Sequence, residues 1–321
     1  MREASRTRDV SRAATGRYSA GVLGTLLLTP TAVVRRAVGA VLPLPSPLRD
    51  RVVLVTGASS GIGAATARQV AARGATVLLV ARREDRLTAV ADEIRAAGGD
   101  ASSYVCDLTD TAAIDGLVAR VLDEHGRVDY LVNNAGRSIR RSLELSYDRF
   151  HDVERTMAVN YFGPVRLILA LMPQMREQRF GHVVNVLTWG VQIKAPKFSA
   201  YIASKTALDV FSRIAGREAF GDNVTFSSVR ISLVRTDMVV ATEAYRRTPA
   251  LTPDQAAAKV VRALEDRPLT VDTLAGSLAE VANLVAPRLS DAVMWAANAA
   301  FPDSRAARGL PPRREVGETG S

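Results

Sequence analysis

The sequence predicts an α/β chain built on a doubly wound parallel sheet. Two observations carry this expectation. Short β-branched runs alternate with helical stretches from Arg51 to about residue 236. Alternation of that length implies a parallel sheet with helices on both faces. The first run also opens directly into a glycine-rich turn and then a helix, TGASSGIG at 56–63. Strand, turn and helix in that order form the context in which a glycine turn can receive a dinucleotide.

Each element follows from its own text. RVVLVTG (51–57) has the continuous apolar character of a strand buried on both faces. A helical stretch from Ile62 to Arg73 follows. ATVLLVAR (75–82) is the second strand, and EDRLTAVADEIRAAG (84–98) the next helix. ASSYVCDL, VDYLVNNAG, HVVNVLT and VTFSSVRISLV are four further strands, separated by helical text. Residues 49–236 are therefore expected to form the sheet domain. Residues 237–302 leave the pattern, turn largely helical, and are expected to form a lid over the substrate. The polar, Pro- and Gly-rich residues 303–321 read as a flexible tail.

Residues 1–48 read as a basic, partly apolar extension. The first 18 are Arg, Ser and Thr rich and expected to be disordered. Residues 19–34 are apolar but contain Pro30 and are too short for a membrane span. Two readings of 19–42 stand side by side: a helix packed on protein, or a peripheral anchor on the inner face of a membrane. PLPSP at 43–47 reads as a stiff linker.

Composition narrows the function classes. Of 321 residues, 47% are hydrophobic, enough for one sizeable core. A single cysteine, Cys106, excludes an intramolecular disulfide and fits a reducing, cytoplasmic setting. His125, His151 and His182 are scattered without metal-ligand spacing, so no metal site is expected. Net charge is +9, concentrated in the first 50 residues, where eight arginines face only Glu3, Asp9 and Asp50. No aromatics are interleaved with them, so no nucleic-acid surface is expected.

The cofactor expectation is specific. Gly57 lets the chain turn after the strand. Gly61 and Gly63 permit close backbone approach and tight helix packing, while Ser59, Ser60 and Ile62 bring N–H groups to the helix start. Where an acidic residue would favour the ribose hydroxyl of NAD, LLVARRE presents Arg82 and Arg83. Guanidinium suits a 2′-phosphate, so NADP(H) is expected rather than NAD(H). Asp107 is either a contact to the adenine or an N-cap for a helix starting near Thr109.

Taken with NNAG at 133–136, VNYFG at 159–163 and YIASK at 201–205, these motifs resemble the short-chain dehydrogenase/reductases. The resemblance implies a Rossmann sheet, usually of seven parallel strands, in a homodimer or homotetramer. A finer likeness, through NNAGRSIRRSLE, GVQIKAPKFSAYIASKTALDVF and NAAFPDSRAARG, is to bacterial long-chain fatty acyl-CoA reductases. It implies a lipid substrate: a fatty acyl-CoA, a fatty aldehyde or a β-keto acyl lipid. A sterol or other secondary-alcohol dehydrogenase is the alternative within the enzyme class. A non-catalytic NADP(H)-dependent lipid-binding protein is the alternative outside it.

Tyr201 and Lys205 are four residues apart on one helix, so their side chains share a face. Tyr201 is expected to act as general acid, with Lys205 lowering its pKa and holding the nicotinamide ribose. Asn160 matches the family asparagine that holds a water in the proton relay, and Asn134, Ala135 and Gly136 match its cofactor-binding stretch. Thr188 stands thirteen residues before Tyr201, where the family carries serine. A hydroxyl there would stabilise developing charge on a carbonyl oxygen. Threonine keeps the donor but adds a methyl and a stiffer χ1, so a working substitute and a silenced site are the two readings. Ile231 and Ser232 replace the family's Pro-Gly pair, leaving Val234 and Thr236 as candidate contacts to the carboxamide and phosphates. Trp189 would either narrow the pocket mouth or serve as a core aromatic. Arg137, Arg140 and Arg141 would either meet a phosphate or lie in a solvated loop.

Overall fold

The computed structural model describes residues 37–38, 45–236, 248–304 and 307–309. Seven parallel strands form one sheet in the order β3-β2-β1-β4-β5-β6-β7. They are β1 (Val52–Thr56), β2 (Thr76–Ala81), β3 (Asp100–Val105), β4 (Tyr130–Asn133), β5 (Gly181–Thr188), β6 (Val224–Ile231) and β7 (Thr270–Val271). The order reverses between β1 and β4, so their carboxyl ends open a crevice at the switch point.

Because strand side chains alternate, Val53 and Val55 point to one face and Val52 and Leu54 to the other. On the first face lie α1 (Gly61–Ala71) and α2 (Glu84–Ala96). On the second lie α3 (Thr111–His125), then, beyond α4 (Phe150–Met157), α5 (Gly163–Glu177) and, after the single turn α6 (Gly190–Ile193), α7 (Ser199–Glu218). α4 itself packs outside, on α7. A π-helical turn, Ala158–Phe162, joins α4 to α5. His182 is fully buried between Thr225 and the Ala263 carbonyl, and burial pushes its pKa down to about 3.

Two expectations need amendment. The sheet domain does not stop at 236: α8 (Pro253–Asp266) buries Val260, Val261 and Leu264 in the same layer as α1. β7 then pairs with β6 at the sheet edge. A two-residue strand has no periodicity to read, and α8 looks like any amphipathic helix until its partner is known. At the other end Leu48 is fully buried in the core and Ser46 donates to Glu265, so the fold begins before Arg49. The peripheral-anchor expectation for 19–42 falls outside the described residues, apart from Ala37 and Val38. None of the described helices is long and apolar enough to cross a membrane.

Two helices follow β7: α9 (Leu274–Val285) and α10 (Pro287–Ala300). α9 is pinned by polar contacts. Arg230 on β6 pairs with Asp209, Asp272 and Glu280, and Gln192 donates to Glu280 at 3.0 Å. α10 contains no buried residue.

Candidate active site

The switch-point crevice is a continuous cleft of about 1370 Å³. Small-molecule pockets usually span about 300–1,000 Å³, so this one has room for more than one ligand-sized group. Its floor is the glycine turn. Gly57 and Gly61 hold φ of +65° and +54°, where a side chain would be strained. A Cβ on Gly63 would lie 2.2 Å from the Gly57 carbonyl, so this glycine serves close packing of α1 under the turn and does not line the cleft. Asn134 ties the turn to β4, its amide donating to Thr56 O at 2.9 Å and Gly57 O at 3.3 Å. The Thr56 hydroxyl accepts from the Asn134 and Ala135 N–H groups. Thr236 reaches the opposite wall, its methyl 3.1 Å from the point a Gly61 Cβ would occupy. Val234 bridges to Leu251 and lines the same wall.

The arginine pair is divided in its contacts. Arg83 folds back over the turn and donates to Ser59 Oγ at 3.2 Å and Ser60 Oγ at 3.0 Å. Arg82 extends to Asp107 at 3.8 Å, with both side chains well exposed. Asp107 accepts from the Thr109 N–H and hydroxyl, and the first of these bonds is the main reason its pKa lies below the usual carboxylate value. The N-cap reading of Asp107 is corrected here. The helix begins at Thr111, and Asp110 caps it by accepting from Ala112 and Ala113.

Tyr201 and Lys205 lie on α7, facing the carboxyl end of β5. Burial pushes the Tyr201 phenol up to about 12, while a hydrogen bond from the Thr188 hydroxyl opposes the rise. The expected depression by Lys205 is absent. Lys205 is buried and donates to the Val186 carbonyl at 2.9 Å, and burial lowers its pKa to about 8. At neutral pH the phenol is therefore protonated and the ammonium mostly charged. Phe198 packs against the Tyr201 ring with centroids 6.2 Å apart.

Thr188 ends β5, and its hydroxyl accepts from the Gly190 N–H at 3.1 Å. Its methyl lies 3.2 Å from where a Gly190 Cβ would stand. The extra carbon of threonine thus fits because position 190 has no side chain. Gly190 was not anticipated, although LTWG carries it two residues on.

Asn160 does not line the cleft. It is fully buried in the π-helical turn, behind Gly136. Its side chain accepts from Arg137 N at 2.8 Å and donates to Arg137 O and Ser204 Oγ, both at 2.9 Å. Ser204 in turn donates to the Tyr201 carbonyl at 2.7 Å. Asn160 therefore braces the NNAG loop against the Tyr201 helix. A Cβ on Gly136 would meet Asn160 Oδ1 at 3.0 Å and Lys205 Nζ at 3.3 Å, so only glycine leaves both polar groups room. Ser204 was also missed, since nothing local marks a buried serine as a bridge between helices.

Beyond Thr188 the cleft turns apolar, walled by Trp189, Ile193, Phe198, Met294 and Phe301. Of the three arginines after NNAG, Arg137 and Arg140 line the cleft. Arg140 also donates to the Phe301 and Pro302 carbonyls, whereas Arg141, which does not line the cleft, donates to the Ala307 carbonyl and pairs with Asp152, which corrects its reading as a phosphate contact.

A family model described as short chain dehydrogenase matches residues 51–247. An uncharacterized oxidoreductase of Mycobacterium tuberculosis is 50% identical over 278 residues, 86% of this chain and 82% of the relative. A fatty acyl-CoA reductase of Acinetobacter baylyi is 45% identical over 262 residues, 82% of this chain and 89% of the relative. Among solved structures, a metagenomic short-chain oxidoreductase in complex with NADP superposes with a TM-score of 0.61. It is 35% identical and covers 70% of this chain and 97% of that one. A match of this extent to the sheet domain, with relatives alike across four-fifths of the chain, shows that this oxidoreductase belongs to the short-chain dehydrogenase family.

Proposed function

We propose that the protein is an NADPH-dependent reductase of long-chain lipid carbonyls, with a fatty acyl-CoA, fatty aldehyde or β-keto acyl lipid as substrate. One observation carries the reading. A single cleft joins an arginine-flanked glycine turn to a hydroxyl pair and then to an apolar end. The relatives named as fatty acyl-CoA reductases, 45% and 46% identical, support the substrate class.

The glycine turn fits a dinucleotide. Its positive-φ glycines present backbone to the cleft, and α1 begins there with free N–H groups. Arg82 and Arg83 suit a 2′-phosphate, with Ser59 and Ser60 beside Arg83. A nicotinamide cofactor held by this turn would, when bound, supply hydride for reduction of a carbonyl. All else is assigned to side chains. Thr188, steadied by the Gly190 N–H, donates its hydroxyl to the carbonyl oxygen in place of Tyr201. Tyr201, protonated at neutral pH, passes its proton to that oxygen. Lys205 holds the ribose, and Asn160 positions the loop and helix around both. The walls from Trp189 to Phe301 exclude water from the acyl chain.

The test is NADPH consumption by the purified protein with a long-chain acyl-CoA, the matching aldehyde and a β-keto ester. Turnover with at least one is expected. Tyr201→Phe should lower kcat about a thousandfold while leaving cofactor affinity in place. Equal turnover by wild type and Tyr201→Phe would overturn the assignment of the proton donor.

A further inference from the structure

The substrate half of the cleft has an unusual wall. Met294, Ala297, Asn298 and Phe301 face the cleft from α10 and its C-terminal end. Yet α10 buries none of its residues, and Leu289, Val293 and Trp295 are exposed on it. Apolar burial therefore does little to fix where this helix sits. Polar contacts at its C-terminal end do that instead.

The last carbonyls of a helix have no partners within it, and that end carries partial negative charge. Here two cations meet them. Lys197 Nζ donates to the Asn298 carbonyl at 2.8 Å and the Phe301 carbonyl at 2.7 Å. Arg140 donates to the Phe301 carbonyl at 2.8 Å and the Pro302 carbonyl at 3.0 Å. Two further bonds complete the link. Ser142 N donates to Asp303 at 2.9 Å, and Arg141 N donates to the Lys197 carbonyl at 2.7 Å. The NNAG loop, the loop before α7 and the end of α10 are thus fastened together.

The backbone supports this placement. Lys197 holds φ of +69°, a region that favours glycine over lysine. Lys197 stands four residues before Tyr201, with its ammonium on the end of α10. Burial draws its pKa below the ordinary lysine value, with Asp303 opposing and Arg140 and Arg308 adding to the shift.

We infer that Lys197 and Arg140 clasp the C-terminal end of α10, and that Lys197 is thereby a positioning residue that sets how the substrate half of the cleft receives a long chain. The inference rests on the reading of the cleft as a lipid-carbonyl reductase.

The test compares wild type, Lys197→Met and Lys197→Arg in two measurements. The first is amide hydrogen exchange of residues 287–300, which needs no turnover. Lys197→Met should exchange about tenfold faster there than wild type, and Lys197→Arg should restore protection. The second is kinetics with a short-chain and a long-chain aldehyde. Lys197→Met should raise KM for the long aldehyde about tenfold, with a smaller change for the short one and NADPH affinity unaltered. Unchanged exchange over 287–300 would overturn the clasp. Equal effects on both aldehydes would overturn its role in substrate selection. Absence of turnover in wild type would count against the reductase reading, and the exchange result would still decide the clasp.

Discussion

Threonine at 188 is compatible with chemistry because of a neighbour. Its methyl occupies the side of Gly190, and its hydroxyl is oriented by the Gly190 N–H. Thr188→Ser should therefore keep kcat within a few fold, whereas Thr188→Val, with the same shape and no hydroxyl, should lose about a hundredfold. Steady-state kinetics of both variants decide between the working and silenced readings. Arg83 makes a second residue-level test. Arg83→Ala should raise KM for NADPH roughly thirtyfold and leave that for NADH nearly unchanged; equal changes for both cofactors would refute the 2′-phosphate assignment. Lys205 carries a pH signature. Its folded-state pKa of about 8 lies below the ordinary 10.5, so between those values the unfolded chain binds more protons. Stability of the cofactor-free protein should rise with pH across that window, by at most about 3 kcal/mol from this residue. Denaturant midpoints of wild type and Lys205→Met at pH 7.5 and 10 isolate the effect, and parallel pH responses would contradict it. Tyr201 and Lys205 were legible because a helix turns i and i+4 to one side, and Thr188 because it stands where the family resemblance implies a serine. Gly190 and Ser204 were not legible, because their work is defined by atoms that only folding brings near.

Elements show the same division. The strands leading to the cofactor half were readable as β-branched runs, and their punctuation as glycines with a steric task. The helix α8 and the strand β7 were assigned to the lid because residues 237–252 interrupt the alternation. Nothing in PDQAAAKVVRALED announces that its apolar side covers the same sheet face as α1. The π-helical turn was equally invisible, since an added residue per turn leaves no mark in composition. Its consequence is definite: it carries Asn160 into the core, to hold Arg137 and Ser204 at once. Asn160→Ala should remove the two bonds to the Arg137 backbone and the one to Ser204, costing about 2 kcal/mol of stability and lowering kcat more than it raises KM. Unaltered kcat with lowered stability would make Asn160 a purely architectural residue.

Among the described residues, one sheet is closed over by pieces from both ends of the fold. Leu48 enters the core beside α8, and Ser46 bonds Glu265 on that helix, so the segment before β1 and the helix near the end of the sheet stabilise each other. Leu48→Ala should cost about 3 kcal/mol, read as a lower denaturant midpoint with NADPH affinity kept. A neutral outcome would return the fold's beginning to Arg49. The cleft combines two walls of different character. The dinucleotide wall is made of strand ends and close-packed glycines, where small changes would disturb the core. The opposite wall includes a helix without a single buried residue. Amino-acid changes along that helix carry little penalty for folding, so natural variation there can reshape the substrate half of the cleft while the dinucleotide wall stays as it was.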